Sequence, residues 1–446
     1  MSSEEKRKRH SDLTRKYGDS WIWGIYFILL IVSIVESYSA SSQIVAGRSV
    51  YSPIINQGGF LLLGLGIIVA MSRIKYNNTY LLTGLIPLLW FVSVGGLLYV
   101  MVAGKVVNGA ARAVYIMGFS VQPAELAKLS VVTMLAFILA RSQKNNDVSM
   151  WGLVASVIVV AVFGLLMLRD GLTNTALLMG ISLSMMVVGG ISWRRIIIVM
   201  AMFGIVVAAV YKVKSYNDSH DTVVQTNQTL AAGADDKEGK VDRTKMRGDR
   251  IDKWLHSDSL IYEQVSDDNA QEMFSRMAQA HGGVTGVTPG HSRECSRLPL
   301  AFSDYIYSII VEETGLVGGI IVLMLYFALM SRAAIIASRC SRSLPALLIM
   351  GMAAMITCQA LCHMAINVGA MPVSGQPLPL ISKGGTSILV TSVAFGLMIC
   401  ISRSVANGDD RRNNKKKKEN EGDAEIAAEA LDEATNPSQY LRNEWK

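Results

Sequence analysis

The chain has 446 residues, of which 51% are hydrophobic and only 17% charged, with a mean hydropathy of +0.35. A soluble protein carries roughly 25% charged residues, so much of this surface is built to meet lipid, and a string of water-soluble domains is excluded. The net charge of +7 would suit nucleic acid, but its placement, described below, is topological and no nucleic-acid partner is expected. Five cysteines (Cys295, Cys340, Cys358, Cys362, Cys400) form no CxxC pair and no metal-ligand spacing, so neither a disulfide framework nor a zinc site is expected.

Apolar runs, each long enough to cross a hydrocarbon core about 30 Å thick, recur at 21–40, 54–71, 79–102, 124–140, 151–168, 174–191, 196–213, 304–330, 345–368 and 386–402. Backbone polar groups in lipid must be paired within the protein, so these runs are read as helices. The expectation is an all-α membrane protein with about ten transmembrane helices. The first run is too long for a signal-peptide core and lacks a cleavage site, so it counts as a span.

Basic residues orient the spans. With the N-terminus inside, 22 of the Lys and Arg residues between Lys6 and Lys418 fall on cytoplasmic segments. The short outside segments hold five: Arg48, Lys105, Arg112, Arg169 and Lys383. Both termini are therefore expected in the cytoplasm. The division expected is a basic N-terminus at 1–20, a membrane domain at 21–403 and a charged cytoplasmic tail at 404–446. A large extracytoplasmic loop, 214–303, separates spans seven and eight; its first part is polar and its second holds Trp254 and the stretch HGGVTGVTPGHS.

Ionisable residues at membrane depth and special backbone at one face are where chemistry is sought. Glu125 and Lys128 lie three apart on one helix face; they form either a structural ion pair or, with Arg112, a source of positive charge for an anionic headgroup. Asp304 opens a long apolar run, with Glu312 and Glu313 beyond it. That carboxylate is either a helix cap, with Ser303 as competitor, or a general base sheltered from bulk water. Residues 367–387, NVGAMPVSGQPLPLISKGGTS, hold three prolines and four glycines. They imply a rigid re-entrant or extended loop lining a cavity. The Gly-rich stretch 282–290 matches neither a Walker A loop nor a dinucleotide fingerprint and reads as a turn-rich loop.

In this order and topology the stretches resemble the SEDS family of shape, elongation, division and sporulation proteins, which includes FtsW and RodA. The resemblance runs from about Trp21 to Arg403. YSASS at 38–42 is similar to the family's end of the first span. Asn108, Gly109, Arg112, Gln122, Pro123, Glu125 and Lys128 match its NG..RW…QPSELAKL segment. Gly282, Gly283, Gly286, Pro289 and Gly290, then Leu298, Pro299, Asp304, Glu312, Glu313 and Gly315, match the end of its large loop. Asn367, Gly369, Pro372, Gly375, Leu378, Pro379, Ser382, Gly384, Gly385 and Thr386 match its last outside loop. The chain departs at Ala113 (family Trp), Ala124 (family Ser) and Lys383 (often aromatic). The family's PDxGT motif is out of step at 170–177, so Asp170 takes no role.

The resemblance implies a peptidoglycan glycosyltransferase of the inner membrane that polymerises lipid II. Asp304 would be the catalytic base, taking the proton of the acceptor's 4-hydroxyl as that oxygen attacks the anomeric carbon of the lipid-linked sugar. A β-1,4 bond forms with inversion and undecaprenyl pyrophosphate leaves; one carboxylate suffices for such a step. Arg112, Gln122, Glu125, Lys128, Ser382, Gly384 and Gly385 would bind substrate. The leaving pyrophosphate would be met by Arg112, Lys128 or a divalent cation, magnesium or manganese. Expected partners are a class B penicillin-binding transpeptidase, on spans eight and nine and the long loop, and other divisome proteins. The basic N-terminus and charged tail look more like the FtsW branch, hence septal synthesis. A RodA-like elongation polymerase and a lipid II flippase are the alternatives.

Overall fold

A computed structural model describes residues 13–14, 16–44, 51–74, 79–103, 105–107, 110–116, 119–144, 147–168, 171–204, 265–266, 269–298, 301–408 and 426. Expectations for Asn108, Gly109, Asp170, Trp254, Pro299, the end of the seventh run (205–213), the polar part of the large loop and nearly all of both tails lie outside the described residues.

The long helices are α1 (Ser20–Ile44), α2 (Tyr51–Arg73), α3 (Thr79–Ala103), α4 (Pro123–Ser142), α5 (Met150–Leu168) and α6 (Leu172–Val188). They continue with α7 (193–204), α8 (Ala270–Gly282), α9 (Ile306–Ser338), α10 (Ser343–Asn367) and α11 (Gly385–Gly408). Seven of them, α1, α2, α4, α5, α9, α10 and α11, are long and apolar enough to cross a membrane, and the apolar helices at 86–100 and 173–188 are shorter. This is a multi-pass membrane protein. In α4, α10 and α11, 72% of the most apolar window is buried, against 33% in α1, 22% in α2 and 28% in α9, so the first three form the centre and the others the lipid-facing wall. Leu62 of α2 and Ile321 of α9 stand exposed on that wall, as side chains do when the solvent is hydrocarbon.

The fold is not purely α. Residues 105–121, between the third and fourth expected spans, hold three antiparallel strands, β1 (Lys105–Val107), β2 (Ala110–Ile116) and β3 (Phe119–Val121), in that order. The β-branched residues there and the Asn-Gly dipeptide between β1 and β2 favour a hairpin over a helix. A second small pair, β4 (Gln143–Lys144) and β5 (Asp147–Val148), links α4 to α5.

One end of the bundle is tied by charge. The buried Asp19 carboxylate accepts the backbone N–H groups of Trp21 and Ile22 at 3.0 and 3.3 Å, capping α1, and takes Arg332 from the far end of α9 at 2.5–3.0 Å. Asp19 N–H reaches Ser402 Oγ at 3.0 Å, and Arg403 donates to the Ile74 carbonyl at 2.9 Å. Ser39, near the opposite end of α1, hydrogen-bonds Glu313 near the start of α9. The two helices therefore run antiparallel and are pinned at both ends.

Residues 368–384 are non-helical and dip between the helices, with positive φ at Gly369, Gly375 and Leu380. Buried backbone needs partners, and helix side chains supply them. His363 Nδ1 donates to the Gln376 carbonyl (2.6 Å), Gln359 to Pro377 (3.2 Å), Tyr326 to Pro379 (2.7 Å) and Ser33 to Ile381 (3.3 Å). Four donors from three helices hold one loop. This is the re-entrant loop expected from the prolines and glycines.

Candidate functional site

The loop's far end meets the turn that carries Asp304. Three successive carbonyls of that turn are each held: Phe302 O by Lys383 N–H at 2.9 Å, Ser303 O by Ser382 Oγ at 2.7 Å, and Asp304 O by Asn367 Nδ2 at 3.1 Å. The helix begins at Ile306 with Tyr305 at its N-cap and no side-chain cap. Asp304 stands one residue before that cap. Asp304 is part-exposed while Tyr305 to Val311 are buried, so the residue sits part-exposed on a fixed backbone.

Asn367 is the organiser that sequence reasoning matched but gave no task. Its Oδ1 accepts Ser308 N–H (3.2 Å) and Ser308 Oγ (2.9 Å); its Nδ2 donates to Asp304 O and to His363 O (2.9 Å). Its own carbonyl takes Gln279 (2.6 Å) and Ser275 (3.2 Å) from α8. An asparagine on the last turn of an apolar helix was the signal. Asn367→Asp keeps the acceptor and loses the donor to Asp304. It is expected to lower turnover about 10- to 100-fold with little change in KM, read in a steady-state polymerisation assay.

Lys128 is fully buried. Its ammonium donates to Glu125 at 2.7 Å and to Gln359 of α10 at 2.8 Å, and Gln359 reaches on to the re-entrant loop. This arrangement realises the structural ion pair, joining α4, α10 and the loop under the mouth. Lys128→Met strands a buried carboxylate and is expected to destabilise the protein by about 3–5 kcal/mol. Adding Glu125→Gln should restore most of the loss in a thermal melt in detergent.

The other expected substrate-binding residues lie on the loop, at the starts of α4 and α11, and on β2. Ser382 is buried; its hydroxyl accepts Leu378 N–H at 2.7 Å as it donates to Ser303, so it braces the turn. Gln122, at the N-cap of α4, gives its backbone N–H to Thr386 Oγ1 at 3.2 Å, which brings α4 and α11 together. Gly385 lets the Phe60 ring of α2 approach to where a Cβ would stand 2.6 Å away, whereas Gly384 has ordinary room. Arg112 lies on β2, two strands before α4. Among the described residues no three His, Cys, Asp or Glu side chains converge.

The loop before Asp304 docks on a break in α9. Gly315 has φ +73°, which interrupts the helix. The groups released are taken up by the Gly-rich stretch: Val287 and Thr288 N–H donate to Glu312 and Glu313 carbonyls (3.0 and 2.9 Å), and Leu316 and Val317 N–H to Gly283 and Val284 carbonyls (2.9 and 3.4 Å). Buried Glu312 receives His281 (2.9 Å), Ser292 and Arg293 N–H (2.9 Å), while Glu313 receives Ser39 and Gly290 N–H (3.1 Å). Cys295 is buried with Leu298, Ala301, Tyr305 and Ile309. Burial, with the nearby carboxylates Glu313, Glu312 and Glu36 adding, pushes its thiol up to about 12.

Fold and site together define a multi-pass membrane protein that gathers a part-exposed acid, a re-entrant loop and a docked loop at one end. A family profile described as cell cycle protein, covering FtsW, RodA and SpoVE, matches residues 19–407. The chain belongs to that family. It is 27% identical over 383 residues to the probable peptidoglycan glycosyltransferase FtsW of Geobacter sulfurreducens, spanning 84% of this chain and 92% of the relative. It is similar in structure to RodA of Thermus thermophilus (TM-score 0.58, 21% identity, 87% and 97% of the two chains covered). It is also similar to a chain of a peptidoglycan synthase complex described as coordinating polymerization and crosslinking (TM-score 0.62, 24% identity, 86% and 98% covered). At such identities the structural likeness speaks for the fold.

Proposed function

We propose that this chain is a peptidoglycan glycosyltransferase that polymerises lipid II at the outer face of the bacterial inner membrane. The observation that carries the reading is the Asp304 turn, whose three carbonyls are locked while its acid stays part-exposed. A general base must be held in place yet reach its proton, and this turn has both properties. Asp304 takes the proton of the acceptor's 4-hydroxyl, the oxygen attacks the anomeric carbon, and the bond to the carrier's diphosphate breaks. The names of the FtsW relatives support the activity. The full arrangement has ten spans, both termini in the cytoplasm and the large loop outside, in keeping with the distribution of basic residues. A class B penicillin-binding transpeptidase is the partner, by analogy with the synthase complex of similar fold, and septal synthesis follows the FtsW likeness.

The test is reconstitution of the purified protein with its transpeptidase in proteoliposomes containing lipid II. Glycan polymer from the wild-type protein supports the reading. Headgroup translocation without polymer would replace it with a flippase. Depletion in cells separates the cellular roles: filaments accompany loss of division, rounding accompanies loss of elongation.

A further inference from the structure

We propose that Lys383 binds the diphosphate of the lipid carrier and meets its charge as the sugar departs, so that this chain carries its leaving-group cation on the re-entrant loop. The inference rests on the glycosyl-transfer reading above. In that step the acceptor oxygen bonds to the anomeric carbon, its proton passes to Asp304, and the electron pair of the broken carbon–oxygen bond leaves with the diphosphate. A cation is needed where that negative charge appears.

Lys128 is badly placed for the task, because its ammonium is fully buried and bound to Glu125 and Gln359. Lys383 differs on each count. It is exposed, and its backbone N–H is fixed to the Phe302 carbonyl, two residues before Asp304. Its ammonium lies 4.8 Å from the centre of the Phe302 ring. Among the described residues no carboxylate pairs with it. A cation resting on an aromatic face keeps its charge for an incoming anion, and the bonds from Lys383 N–H and Ser382 Oγ fix its backbone beside the Asp304 turn. The turn that its backbone N–H holds contributes one charged residue, Asp304, and α11, from Gly385 to Ile388, begins with uncharged residues. Loss of part of its water shell to the neighbouring protein holds the ammonium below the usual lysine range. Its positive charge is therefore present at neutral pH and lost, as pH rises, earlier than for a lysine in water.

The experiment compares wild type, Lys383→Gln and Lys383→Arg as full-length protein in nanodiscs. The first measurement is binding of undecaprenyl diphosphate, which needs no turnover. Lys383→Gln should weaken binding roughly 10-fold, the loss of one charge-assisted contact, and Lys383→Arg should retain it. Equal binding by the wild type and the Gln variant overturns the proposal. Inorganic diphosphate competing as well as the lipid overturns the assignment to a lipid-linked anion. The second measurement is the pH profile of lipid II polymerisation. Activity should fall on the alkaline side in the wild type and persist to higher pH in Lys383→Arg; coincident profiles overturn the proposal. If the wild type makes no polymer, the glycosyl-transfer reading fails, and the binding comparison still decides Lys383.

Discussion

Asp304→Asn is expected to abolish strand synthesis, lowering the rate about 10²- to 10⁴-fold, the range that a positioned base contributes. The amide is isosteric but cannot take the acceptor's proton. The anchors on this turn run to main-chain carbonyls of Phe302, Ser303 and Asp304, so the substitution leaves them in place. Melting temperature and membrane yield should match the wild type, which separates lost chemistry from lost fold. Asp304→Glu keeps the acid but moves it by about one bond length, and a displacement of that size at a reacting atom costs on the order of 100-fold. Single-turnover assays with labelled lipid II read both variants. An Asn variant that polymerises at the wild-type rate sinks the assignment.

The second large effect is structural. Gly315→Ala places a side chain in backbone space that only glycine occupies readily, at φ +73° and ψ −178°, and its Cβ would run into the Val284 carbonyl. Conformational strain of about 1–3 kcal/mol adds to that clash. The four backbone hydrogen bonds that dock 283–288 on the break then loosen together. Cys295 reports the event. Its buried thiol, with a pKa pushed up to about 12, should ignore a maleimide at pH 8 in the wild type and react in Gly315→Ala. Polymerisation should fall as well, because the loop runs directly into the Asp304 turn. Gly180→Ala is the control: it lies in α6 with nothing within 4 Å of the added Cβ and should be neutral or slightly stabilising. Labelling of Cys295 that is equal in wild type and Gly315→Ala would refute the docking role.

Much of the site could be read in the chain because its signals are local. A carboxylate at the head of an apolar run marked Asp304. Prolines and glycines in 367–387 marked a re-entrant loop, since they cannot continue a helix and their backbone must still be paired. The i,i+3 spacing of Glu125 and Lys128 announced their pairing. Three features were less accessible. The small sheet at 105–121 was hidden by a short, mixed pattern in which strand and loop look alike. The docking role of Glu312 and Glu313 depends on partners up to 31 residues away for the first, and 274 for the second. The anchoring of Asp304 by Asn367 joins side chain and backbone across 63 residues.

By itself the sequence determined which segments are apolar enough to enter lipid, which end of each is basic, and where helix gives way to loop, because hydropathy, charge and backbone freedom act over one or two turns of chain. The tertiary structure decided which polar groups meet. It buried Lys128 against Gln359, turned Ser382 into a brace, and left Lys383 exposed above Phe302. In a bilayer each buried donor must find an acceptor inside the protein, and which one it finds depends on how separate helices pack.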